Sequence, residues 1–332
     1  MFLSIIIPHY NLPRELLERC IASIVRLDIE AGSYEIIVVD DGSPEPPRWV
    51  EDSFPGTEIR LITAAHGGPG AARNRGIDEA KGTYIEFVDA DDTLIADESY
   101  KVCLDKLRSE RPDILHFRYQ VMTSSKDISP KNTAVTNFSN TISGAMYMKR
   151  FNLSGSPCCY FFRRELVIKR DIRFPENIFH EDEEFNTILH YHAGALVYCD
   201  AVLYNYCIRE GSTTANSSKD FEEKRIEDTL HIIERLSDFR NAQKECSNIQ
   251  AKGFEHKFTM LCVDAIRNML YIGMSARAIH GKCRERLAPL GVYPLPAASY
   301  SMKYRIFRLL ANSKCGMRIL RLVTPSHKPQ KR

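Results

Sequence analysis

Four short β-branched runs, separated by amphipathic stretches, open the chain, and that alternation constrains its fold more than any other feature. Leu3-Ile7, Glu35-Asp40, Glu58-Thr63 and Thr83-Asp89 have the length and apolar content of parallel strands buried on both faces. Between the first two, Asn11 and Pro13 open a helix in which Leu16, Leu17, Cys20, Ile21, Ile24 and Val25 recur at three- and four-residue steps. That stripe must pack on the sheet. A second helix is expected from Ala72 to Ala80, after Gly70 and ending near Gly82. The fold class is α/β, with a Rossmann-like sheet of βαβ units.

Beyond this the pattern mixes a strand at Asp113-Arg118, a polar loop around Ser124-Asn132, short helices, and strands at Leu196-Cys199 and Val202-Ile208. After Lys219 it turns helical, with apolar residues at helical spacing in Phe221 to Phe239 and Phe254 to Tyr271. The 45 basic and 43 acidic residues leave a net charge of only +2, which excludes a general polyanion binder. Ten cysteines without a CxxC pair or zinc spacing read as reduced thiols in a cytoplasmic protein, and Phe2 to Ile7 lacks the features of a signal peptide. Without an uncharged apolar run of about 18 residues, no membrane-spanning helix is expected.

Chemistry concentrates where apolar runs end. Phe87-Val88 leads into Asp89-Ala90-Asp91-Asp92, three carboxylates at the exit of a strand. Ligands of open α/β sheets collect at such ends, and clustered carboxylates suit a hard divalent cation that can bridge the phosphates of a nucleotide diphosphate. The alternative is an Asp-rich turn in which Asp92 caps a helix beginning near Thr93. Val38-Val39 likewise runs into Asp40-Asp41-Gly42-Ser43, where paired acids can accept hydrogen bonds from a base or ribose, or simply form an Asp-Gly turn. Between them, Gly67-Gly68-Pro69-Gly70 precedes Arg73, Asn74 and Arg75. Glycines before a helix admit phosphate to the backbone and arginines supply permanent planar donors, although the spacing is neither a Walker A loop nor GxGxxG.

Taken in order, Ser4 to Asn11 (SIIIPHYN), Ile37 to Ser43 (IVVDDGS), Gly67 to Ile77 (GGPGAARNRGI) and Lys81 to Asp92 (KGTYIEFVDADD) closely resemble the motifs of family 2 glycosyltransferases. The resemblance implies a glycosyltransferase A fold and inverting transfer of a sugar from a nucleotide-diphosphate sugar to an acceptor hydroxyl. UDP is the commonest nucleotide in the family, and the expected setting is cell-surface polysaccharide or glycolipid assembly, with a glycan or lipid-linked saccharide as acceptor. It puts the family's DxD on Asp89 and Asp91, with Asp91 the more direct ligand of Mg²⁺ or Mn²⁺, and the uracil-contacting acid on Asp41. Pro8, Tyr10, Gly68, Arg73, Asn74, Asp89 and Ala90 complete the donor contacts it implies.

The block His180-Glu181-Asp182-Glu183-Glu184-Phe185 matches the family's ED pair, which assigns the general base to Asp182. Such a base takes the acceptor proton as oxygen attacks the anomeric carbon opposite the leaving nucleotide, so one carboxylate gives inversion without a covalent intermediate. Read alone, the block is the acidic first turn of a helix, favourable to its dipole. Tyr204 to Thr213 (YNYCIREGST) matches a loop near the diphosphate, implying phosphate contacts from Arg209 and Ser212; a solvated turn is equally open. The resemblance implies a catalytic domain over 1–215, with a donor half 1–112 and an acceptor half 113–215. It is patchy from 150 to 213, departs from the family pattern at His9 and at Cys158-Cys159, and does not reach the helical C-terminal extension, 216–332.

That extension ends in an unusual tail. From Arg286 to Arg332 there are ten Lys or Arg and no Asp or Glu, interleaved with Ile306, Leu309, Leu310, Ile319, Leu320 and Leu322. Each basic residue near an anionic bilayer adds about 1 kcal/mol and interleaved leucines can insert shallowly, so peripheral attachment to the inner face of the cytoplasmic membrane is expected. A basic helix packed on the catalytic domain is the alternative. No nucleic-acid partner is expected, because the chain carries no RNP-like motif, zinc-finger spacing or helix-turn-helix. A sugar nucleotidyltransferase would place a glycine-rich basic loop after its first strand, where this chain has Pro8-His9-Tyr10-Asn11. A non-catalytic nucleotide-binding or scaffold protein of the same fold would shed the acids that this chain keeps.

Overall fold

The four apolar runs form strands β1 (Leu3–His9), β2 (Tyr34–Asp40), β3 (Ile59–Thr63) and β4 (Tyr84–Phe87). They pair in parallel in the order β3-β2-β1-β4, with the interiors of β1 and β2 wholly buried. Helix α1 (Arg14–Val25) buries Leu17, Cys20, Ile21 and Ile24, the expected stripe. Helix α2 (Gly68–Glu79) begins four residues earlier than the spacing indicated, with Pro69 in its first turn, where a missing N–H costs nothing. At the opposite end of the sheet from the acids, Glu35 accepts from Ser4 Oγ and Lys81 N at 2.7 Å and pairs with Arg60 at 3.1 Å. The computed structural model describes residues 1–123, 136–153, 156–209, 218–298 and 300–325.

Past β4 the sheet becomes mixed. Strands β5 (Thr93–Leu94), β6 (Ile114–Met122), β7 (Tyr160–Arg163) and β8 (Leu196–Cys207) extend it to eight in the order β3-β2-β1-β4-β7-β6-β8-β5. β7 runs antiparallel to β4 and β6, β8 runs parallel to β6, and β5 returns antiparallel to β8. Helices α3 (Glu98–Glu110), α4 (Gly144–Arg150), α5 (Arg164–Lys169) and α6 (Glu181–His192) complete this region. Phe87, Phe162, Phe174 and Phe185 interlock behind the strand ends, with Phe174 and Phe185 stacked at 3.8 Å. All ten cysteines are free thiols.

Two expectations give way here. Leu196 to Cys207 is one continuous strand, because Asp200 turns its carboxylate outward to Asn137 N and Nδ2, both at 2.8 Å, so a polar residue interrupts the apolar run without interrupting the backbone. Asp92 caps no helix: Thr93-Leu94 pairs with β8, and the following helix is capped by Asp97, which accepts from Ser99 N at 2.9 Å. The loop expected at Ser124-Asn132 lies outside the described residues.

The chain divides into two units, Met1–Tyr147 with Ser154–Glu210, and Met148–Leu153 with Gly211–Arg332. The second is helical: α7 (Lys219–Ala242), α8 (Asn248–Tyr271), α9 (Ala276–Lys282), α10 (Met302–Ala311) and α11 (Lys314–Val323). A reciprocal Ser247–Gln250 capping box opens α8, and Phe254, Phe258, Leu261, Ile266 and Leu270 lie on its buried side. Among the described residues, no helix is long and apolar enough to cross a membrane.

Candidate active site

The carboxyl ends of β1, β2 and β4 bring three of the four N-terminal motifs together, because parallel strands in register must deliver their ends to one edge. Directly after β2, Asp41 is buried and accepts from Gly67 N at 2.8 Å and Gly68 N at 2.9 Å, while His66 Nδ1 lies 2.8 Å from its second oxygen. One carboxylate thereby shapes the whole glycine turn ahead of α2. The turn leaves no room for a side chain at Gly42, whose φ is +76° and where a Cβ would sit 2.8 Å from His66 N. At the end of β1, Pro8 is half-buried and Tyr10 is exposed, its ring stacked on His66 at 4.3 Å. Beneath them His9 Nδ1 meets Asp40 Oδ1 at 3.0 Å, and Ser43 Oγ donates to the same oxygen at 2.5 Å.

The turn after β4 is anchored from β8. Buried Asp92 accepts from Tyr204 Oη at 2.6 Å and Cys207 N at 2.7 Å, and the Tyr204 oxygen accepts from Asp89 N at 3.2 Å. Burial, reinforced by Asp89, pushes the Asp92 carboxyl well above the usual carboxylate range. Its neighbours remain partly exposed, Asp89 at 35% and Asp91 at 21% of their side-chain surface. Ala90 between them is buried. Arg209 Nε holds Asp91 Oδ2 at 2.6 Å, and Arg19 donates to the Asp91 carbonyl at 2.6 Å. Ser212 lies outside the described residues.

Arg73 joins this turn to the second block. Its guanidinium, almost fully buried, donates to Asp89 Oδ1 at 2.9 Å and to Glu181 Oε1 at 2.7 Å, and lies over the Phe174 ring. Burial opposes its charge, yet Asp89 and Glu181 outweigh that cost and raise its pKa further. Asn74 donates to Phe174 O and accepts from Phe174 N, both at 2.9 Å, so it staples α2 to the segment leading into α6. Half-buried Asp182 follows Glu181 in the first turn of α6, whose four acids also suit the helix dipole. The motifs are thus linked through Asp89, Arg73 and Glu181, with Arg73 and Asn74 turned to protein partners.

Sequence reasoning missed Glu181 as the partner of Arg73, His66 as the partner of Asp41, and Tyr204 as the anchor of the acidic turn. Only Glu181 carried a signal, as the acid beside Asp182. Among the described residues no three His, Cys, Asp or Glu side chains converge as a closed metal cage. Asp89 and Asp91 are the partly exposed carboxylates of the turn, each with one oxygen held by an arginine and carboxylate chemistry of the kind Mg²⁺ or Mn²⁺ takes alongside phosphates and water.

Three comparisons place the chain among known proteins. An uncharacterized glycosyltransferase of Bacillus subtilis, EpsJ, is 29% identical over 227 residues, 64% of this chain and 62% of that protein, so the chain spans less than two thirds of that relative's length. The structure of Staphylococcus aureus TarS 1–349 in complex with UDP-GlcNAc matches with a TM-score of 0.60 at 21% identity, covering 97% of this chain and 91% of the other. A mannosyltransferase from Pyrobaculum calidifontis in complex with GDP-Man and Mn2+ matches with a TM-score of 0.55 at 16% identity, covering 97% and 87%. The fold is that of the glycosyltransferase A enzymes. The family model described as Glycosyl transferase family 2 matches residues 4–170, and the chain belongs to that family.

Proposed function

We propose that the chain is an inverting glycosyltransferase that takes a sugar from a nucleotide-diphosphate sugar, with UDP as the nucleotide, and attaches it to a glycan or lipid-linked saccharide in cell-surface polysaccharide or glycolipid assembly. The observation that carries this reading is the Asp89–Arg73–Glu181 bridge, which ties the donor-side acids to the helix turn that bears Asp182. In this reading Tyr10 and Pro8 line the base, Asp41 holds the glycine turn against it, and the Gly68 region admits the donor backbone-close. Asp89 and Asp91 would hold Mg²⁺ or Mn²⁺, which supplies neutralisation of charge on the leaving diphosphate. Arg209, paired with Asp91 at 2.6 Å, would contact the same phosphates. Asp182 takes the acceptor proton on the face opposite the leaving nucleotide.

Support for UDP comes from the TarS complex with UDP-GlcNAc, and support for a metal from the mannosyltransferase complex with Mn2+. The acid-free basic segment adds a peripheral location on an anionic membrane to the proposal. Calorimetric titration of UDP, GDP and dTDP, each with and without Mn²⁺, tests the donor half. Metal-dependent binding of one nucleotide, UDP first, is expected; no binding of any of them under either condition would overturn the reading.

A further inference from the structure

Helix α10 packs through Tyr304 and Ala311, and α11 through Gly316, Met317 and Leu320. On a 3.6-residue wheel, Met302, Ile306 and Leu309 fall on the side of α10 opposite its packed residues. They are 65%, 54% and 63% exposed. On α11, Ile319, Leu322 and Val323 are also exposed, Leu322 at 84% and on the side away from Gly316, Met317 and Leu320. A surface helix ordinarily buries its apolar stripe; each of these two turns apolar residues outward.

The outward stripes carry one sign of charge. Lys303 and Arg305 flank the stripe of α10, and Lys314, Arg318 and Arg321 lie along α11. Among the described residues, no carboxylate pairs with any of these five. Arg286, by contrast, is paired with Glu234 and Glu227. A second copy of the same face would meet like charge with like charge, whereas anionic headgroups complement it and the acyl boundary accepts the leucines and isoleucines.

We infer that α10 and α11 form a membrane-docking face that takes an anionic phospholipid bilayer, with Ile306, Leu309, Ile319 and Leu322 as the inserting residues and Arg305 and Arg318 as headgroup contacts. The inference rests on the proposed membrane location and names the surface responsible for it. Neither apolar insertion nor a basic patch anchors a chain firmly alone, and the two helices supply both signals.

Flotation of the full chain with vesicles of phosphatidylcholine alone, or mixed with phosphatidylglycerol, tests it on three proteins: wild type, Leu309→Ser with Leu322→Ser, and Arg305→Glu with Arg318→Glu. Wild type should float with the anionic vesicles only. Each exposed-face variant should lose binding by about tenfold or more, while binding the same nucleotide by calorimetry as wild type. Wild type floating while both variants float equally well would overturn the assignment of the face and leave the membrane location standing. Wild type failing to float would overturn both, and concentration-dependent self-association in that case would assign the face to a second copy. Absence of nucleotide binding by wild type is a separate failure, that of the transferase reading.

Discussion

Asp91 is paired with an arginine side chain. Arg209 Nε lies 2.6 Å from one of the Asp91 oxygens, so under the proposed reading a metal ion would have to compete with a guanidinium for that carboxylate. Asp91→Ala should weaken nucleotide binding at least tenfold with Mn²⁺ present and little without it, as read by calorimetry; equal affinities with metal would remove Asp91 from the ligand set. Glu86, on β4, is the opposite kind of carboxylate. It is wholly buried and bonded to Tyr100 Oη at 2.5 Å, with Oε1 unpartnered, and burial pushes its pKa from 4.5 up to about 8. The folded state therefore holds this proton more tightly than the unfolded chain, and stability falls as pH rises from about 4.5 towards 8. Glu86→Gln keeps an acceptor for Tyr100 and cannot ionise, so its melting temperature should gain on wild type through that window and hold its lead above it. A constant difference across pH would contradict the assignment. Residue types at the site were legible in the sequence, since Asp41, Arg73, Asp89 and Asp91 stand in short local motifs. Their partners were not: Arg73 reaches Glu181 and Asn74 reaches Phe174, pairings about a hundred positions apart that no local pattern encodes.

Helix α2 and the entry to α6 approach each other at Gly70. A Cβ there would lie 2.7 Å from Pro175 O and 3.2 Å from Glu181 Cγ, so even one methyl group must push the segment bearing Asp182 away from the donor side. Gly70→Ala should leave nucleotide affinity within a few-fold of wild type and reduce kcat on the order of ten- to a hundredfold, since displacements near 1 Å can cost that much in a positioned reaction. Unchanged kcat would show that α6 tolerates the shift. The parallel strands and their helices were readable because buried β-branched runs and a 3.6-residue stripe are strong local signals, borne out in β1 to β4 and α1. Strands β5 and β7 were not, being two and four residues long and held only by tertiary pairing.

At the scale of the whole chain, the first unit gathers the motif residues at one edge of a mixed sheet, and the second is helical with apolar stripes turned outward on α10 and α11. The fold class was visible from the first motifs; the antiparallel insertion of β7 between β4 and β6 was not, because strand direction depends on the path of the intervening chain. The proposed mechanism is inversion at the anomeric carbon with Asp182 as base. Proton NMR of slow donor hydrolysis, with water standing in for the acceptor, tests it most directly. An α-linked sugar of the nucleotide that binds is incubated with wild type and with Asp182→Asn, and the anomer first released is observed. Wild type should release the β anomer first, while Asp182→Asn should bind the donor and release sugar on the order of a hundredfold more slowly; the α anomer appearing first, or equal release by the two proteins, would rule out Asp182 as the base of an inverting reaction.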